Sequence, residues 1–103
     1  NIVNYNYENH LREKEIEIIT NRNPRYKLFL YACCVYYKKN KGISKTKNYT
    51  YKIALEEANN DPRCKLYDNL QTFEEEIEEL GTACRRWASD NKNNLEKWCS
   101  FLR

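Results

Sequence analysis

The chain has no methionine, two glycines, two prolines and a single histidine among 103 residues. So little glycine and proline argues against a loop-rich knot of disulfides and for helices joined by a few bridges. With only His10 present, next to a terminus expected to fray, neither a histidine-based metal centre nor histidine-dependent catalysis has material to work with. Long hydrophobic runs are also missing. The longest uncharged apolar stretch is the ten residues "LFLYACCVYY", Leu28 to Tyr37, half of what a membrane helix needs, so no membrane insertion is expected. No secretory leader is visible. Because the first residue is Asn and not Met, a processed terminus is compatible with the sequence and that absence decides little.

What the chain does have is five cysteines, nine tyrosines, two tryptophans and a surface rich in charge. Its length suits a single domain over residues 1–103, with a modest core supplied largely by aromatic rings whose polar tips can sit at its edge. The net charge is only +3, but the charges are segregated. Lys38 to Lys52 contains six lysines and no acid, whereas Glu56 to Glu79 contains nine acids and two bases. The molecule is electrically two-sided.

Periodicity and caps predict an all-α fold, a small bundle of four to five helices cross-linked by about two disulfides. A first helix is expected over Tyr7–Thr20, with Leu11, Ile18 and Ile19 on one face and residues 1–5 frayed. Asn23 and Pro24 form a strong start signal for a second helix, and Gly42 is a natural stop. Apolar residues surround its middle, which marks it as the central element. A third helix is expected over Lys47–Asn59, with Tyr51, Ala54, Leu55 and Ala58 inward. Asp61 and Pro62 then read as cap and first residue of a long fourth helix. Its stripe of Leu66, Leu70, Phe73, Ile77, Leu80, Cys84 and Trp87 advances by alternating steps of four and three. Gly81 within it is a place for a kink. A break among the Asn and Asp residues of 90–94, capped by Ser89 or Asp90, leads to a short last helix carrying Leu95, Trp98, Cys99 and Leu102.

The cysteines Cys33, Cys34, Cys64, Cys84 and Cys99 admit several chemistries. No Cys-x-x-Cys pair exists, and adjacent cysteines seldom serve as paired ligands, so no metal is expected. Cys33 and Cys34 lie in the middle of an apolar helix, where a thiol is inert, and this disfavours redox catalysis. Adjacent cysteines on a helix also occur in secreted phospholipases, but those place a catalytic His and Asp just after, where this chain has "VYY". The expectation is structural disulfides with one thiol left over. An antiparallel hairpin of the last two helices would bring Cys84 to Cys99, and Cys64 would then meet Cys33 or Cys34. The rival is five reduced core thiols of an intracellular protein.

Without a convergent acid pair, a nucleophile turn or a glycine-rich phosphate loop, no catalytic residue and no cofactor is assigned and an enzyme is not expected. Two surfaces could act: the glutamate face of the fourth helix, and a lysine- and tyrosine-bearing segment of Tyr36, Tyr37, Lys38, Lys39, Lys41, Lys45, Lys47 and Tyr49. Asn48 heads an N-glycosylation sequon in the same segment. The expected function is that of a secreted, extracellular, monomeric, non-enzymatic domain that binds another protein, including one of a host organism, as an effector, inhibitor or ligand does. The alternative is an intracellular module that binds a polyanion (nucleic acid, acidic lipid or glycan) through Lys38–Lys52, although that segment lacks arginine. A carrier with an aromatic-lined cavity is a third reading.

Overall fold

The computed structural model describes the backbone of residues 2–41 and 50–101, and side chains over 10–39 and 50–100. Those residues form five helices: α1 (Ile2–Asn21), α2 (Pro24–Lys41), α3 (Tyr51–Asn59), α4 (Leu70–Asp90) and α5 (Lys92–Phe101). There is no strand among them. The fold is the small disulfide-linked helical bundle that the apolar pattern predicts.

α2 is the spine. It starts where Asn23 and Pro24 dictate: the Asn23 side chain accepts the Arg25 N–H at 2.9 Å, and its carbonyl accepts the Tyr26 N–H at 2.9 Å. All four other helices pack on α2, and Leu28, Leu30, Ala32 and Cys33 are fully buried. Gly42, the expected stop, lies outside the described residues. At one end of the core Tyr26, Phe29, Trp87 and Trp98 form a chain of rings with centroids 5.9–6.4 Å apart. At the other end Tyr36 stacks on Tyr51 of α3 at 4.2 Å.

α1 begins at Ile2 rather than near Tyr7, and of the expected inward face only Ile19 turns to the core. Ile16 and Ile19 pack against the core, while Leu11 and Ile18 are exposed. Glu15 of this helix pairs with Lys97 of α5 at 3.4 Å.

The largest departure from the sequence pattern is between Asn60 and Asn69. Pro62 does not open a helix; the chain turns instead, and α4 starts eight residues later. Asp61 accepts the Arg63 N–H with its side chain and the Cys64 N–H with its carbonyl, which makes a tight turn. The cause of the longer detour is Asn59, 2% exposed at the end of α3. Its Oδ1 accepts the Leu66 and Tyr67 N–H groups at 3.0 Å each, and its Nδ2 donates to the Tyr67 carbonyl at 3.0 Å. In a helix begun at Pro62 those two N–H groups would serve carbonyls four residues back. The buried amide takes them instead. Asn69 then caps α4, accepting from Gln71 and Thr72. The stripe holds from Phe73 through Trp87, with Phe73, Leu80, Cys84 and Trp87 buried, while Leu70 is 64% exposed and Leu66 lies off the helix.

The break before α5 falls where it was expected, but Asn91 makes it rather than Ser89 or Asp90. Asn91 donates its backbone N–H and its Nδ2 to the Trp87 carbonyl at 3.0 and 2.9 Å, and its own carbonyl receives Asn94 and Leu95. No described helix is long and apolar enough to cross a membrane.

Candidate functional site

The cysteine pairing differs from the sequence expectation. Cys34 is bonded to Cys99, with Cα atoms 5.1 Å apart. Cys33 faces Cys84, the two sulfurs 3.9 Å apart and both residues fully buried. Cys64 contacts neither pair; its thiol donates to the Ala58 carbonyl at 2.9 Å. Two physical reasons account for the difference. Consecutive residues on a helix point about 100° apart, so Cys33 and Cys34 meet different neighbours. And α5 packs mainly on α2 rather than folding back along α4, which takes Cys99 away from Cys84. Because Cys64 lies on the Asp61 turn and not on α4, it is bonded into that turn.

The Cys34–Cys99 bridge lines a groove of about 840 Å³ between α2, α3 and α5. Val35, Ala58 and Leu95 give the floor its apolar character. The walls carry charge of both signs, with Lys38 and Lys92 against Glu57 and Glu96.

One corner is fixed by the Asp61 turn. The Arg63 guanidinium forks onto Asp61, Nε to Oδ1 at 3.0 Å and Nη2 to Oδ2 at 2.6 Å, and lies 5.0 Å above the ring of Tyr31. Hydrogen bonds from Arg63 hold the Asp61 carboxyl down at about 2. The same pairing raises Arg63. Tyr31 is raised by burial, against the pull of Arg63. Burial pushes the Cys64 thiol up to about 11, and Asp61 adds to that shift.

The residues of the expected Tyr and Lys surface are divided. Tyr37 and Lys38 line the groove. Lys39 is exposed beside them. Tyr36 is committed to packing on Tyr51. Lys41 ends α2 without a described side chain, and Lys45, Lys47, Asn48 and Tyr49 lie outside the described residues. On α4, Glu74, Glu75 and Glu79 are exposed, Glu76 is half-buried, and Glu78 is paired with Lys52 of α3. No residue of α4 reaches the groove.

Sequence reading missed Tyr31, Arg63, Lys92 and Glu96 as groove residues. The one signal available was Asn60-Asp61-Pro62-Arg63, read as a helix start although the same residues also favour a turn. Among the described residues no group of three His, Cys, Asp or Glu side chains gathers as a metal site would require.

No protein-family model matches the chain, and no curated protein or solved structure shows significant similarity to it.

Proposed function

We propose that the chain is a secreted, non-enzymatic protein-binding domain of effector, inhibitor or ligand type, and that it takes a segment of its partner into the α2–α3–α5 groove. The observation that carries this reading is that the Cys34–Cys99 bridge lines that groove. A structural disulfide belongs to an oxidising compartment. Tying α5 to the middle of α2 also keeps the groove in one shape, which lowers the ordering cost of association. The matching partner segment carries an apolar side chain for the floor and charges of both signs for the walls. For the polyanion alternative, Lys38 shares its groove with Glu57, Asp61 and Glu96, and Lys52 pairs with Glu78.

The reading is tested by selecting a displayed peptide library on the disulfide-intact protein. Enriched peptides should bind Tyr37→Ala and Lys38→Glu/Lys92→Glu at least roughly tenfold more weakly, as loss of a central contact or a reversed charge pair implies. They should be indifferent to Glu74→Lys/Glu75→Lys on α4. Peptides that ignore the groove variants and respond to the α4 variant would sink the proposal.

A further inference from the structure

The described structure contains one cysteine contact that the fold does not otherwise use. Cys33 and Cys84 bring their sulfurs to 3.9 Å across 51 residues of sequence, and neither is accessible to solvent. That separation is a long thiol–thiol hydrogen bond and not a covalent one. A disulfide needs its sulfurs about 2 Å apart, so closure asks for a movement of about 2 Å shared between two side chains. The third thiol, Cys64, serves as a contrast, since it is turned to the Ala58 carbonyl and not to another sulfur.

We infer that Cys33 and Cys84 form a second disulfide in the mature protein, so that two consecutive residues of α2 bond covalently to α4 and to α5. This inference rests on the oxidising compartment proposed above. The reaction is a thiol–disulfide exchange with a small-molecule disulfide such as oxidised glutathione. One cysteine thiolate attacks a glutathione sulfur and releases one glutathione thiolate. The second cysteine thiolate then attacks the mixed disulfide and releases the other. The two cysteine protons go to the two released thiolates, the protein loses two electrons and the glutathione disulfide gains them.

The burial of the pair fixes when this happens. In the folded chain Cys33 is held as a thiol by its hydrogen bond with Cys84 and by burial, both of which push its pKa upward. Exchange requires a thiolate and an accessible sulfur. The bond therefore forms while the core is still open, and oxidant added to an already folded, reduced core reaches it slowly.

The test is refolding of the fully reduced, denatured chain in a glutathione buffer of secretory-pathway poise. It is followed by acid quench, denaturation, alkylation without reduction and intact mass. Two bridges leave one alkylated thiol, Cys64, out of five. Adjacent Cys33 and Cys34 cannot be separated by a protease, so the pairing is read by peptide mapping of Cys34→Ala/Cys99→Ala, in which the one alkylated thiol of its remaining three should be Cys64. Three alkylated thiols in the unaltered chain, with Cys34–Cys99 intact, would overturn this inference and leave the compartment reading standing. Five would overturn both. A bridge to Cys64 in either protein would also overturn it, and a count of three or five alkylated thiols on the unaltered chain overturns it even if the double variant does not fold.

Discussion

Replacing Asn59 by Ala removes the buried side chain that takes the Leu66 and Tyr67 N–H groups in the bend between α3 and α4. Three hydrogen bonds disappear, two accepted by Oδ1 from Leu66 and Tyr67 and one donated by Nδ2 to the Tyr67 carbonyl. A typical intramolecular hydrogen bond contributes about 1 kcal/mol net, and an orphaned buried group costs about 1–3 kcal/mol. Asn59 is 2% exposed, but Leu66 and Tyr67 are half-buried, so water can reach part of what is orphaned. Over three bonds the cost runs from about 3 to about 9 kcal/mol, and it belongs at the low end, about 3 kcal/mol, which for a domain of this size lowers the melting temperature by roughly 10–25 °C. Thermal and urea unfolding followed by circular dichroism measure the loss. Hydrogen exchange should show the Leu66 and Tyr67 amides losing protection. Asn59→Asp gives a sharper version, because it keeps the Oδ1 that accepts both N–H groups and replaces the donor by an oxygen facing the Tyr67 carbonyl. It should be destabilised at pH 7 and partly rescued below about pH 4, where the protonated acid can donate again. If Asn59→Ala cost less than about 1 kcal/mol, or left those two amides as protected as before, the claim that this amide displaces the helix start would be wrong.

Two further perturbations follow from the same geometry. Gly81→Ala should stabilise by about 0.5–1 kcal/mol in urea unfolding, since glycine in a helix interior is unfavourable by that amount. A methyl group there meets only the Lys52 Cγ at 3.2 Å, part of a flexible side chain that can shift by the few tenths of an ångström required; a loss of stability would mean that Lys52 cannot move. Thermal stability should also fall on both sides of neutrality. The depressed Asp61 carboxyl contributes stability above its ordinary 3.8 that is lost as pH falls through about 2. The raised Cys64 thiol contributes stability below its ordinary 9.0 that is lost as pH rises through about 11. Asp61→Asn should flatten the acid limb and Cys64→Ala should make the alkaline limb shallower; unchanged profiles would refute the assignment.

How much of this was legible depends on the range over which each decision is made. The start of α2 is local, since Asn23 and Pro24 need nothing beyond the next turn, and it stands where the sequence places it. The inward stripe of α4 from Phe73 to Trp87 is equally local. The start of α4 was misplaced because Asn59 competes for N–H groups seven and eight residues ahead, and no helix-capping rule looks that far. Tyr36 read as surface because it adjoins lysines, whereas the stacking partner that claims it, Tyr51, is on another helix. The disulfide pairing needed the packing of α5 on α2, which depends on the whole bundle. For the groove, Lys38 and Tyr37 were found from their own neighbourhood, while Arg63 and Tyr31 meet only after the Asp61 turn is made.

The Cys34–Cys99 bond also determines how the molecule bears load. A pull applied at residues 1 and 103 runs through residues 1–34, crosses the bond and leaves through residues 99–103, so the loop between the two cysteines, a sequence separation of 65, carries no tension. At about 3.5 Å per extended residue the oxidised chain can lengthen only to about 130 Å, against about 360 Å once the chain is fully reduced. Tension would strip α1 and the first half of α2 while α3 and α4 stay off the line of force. A pulled molecule would thus report its own redox state as a contour length, in a single extension trace.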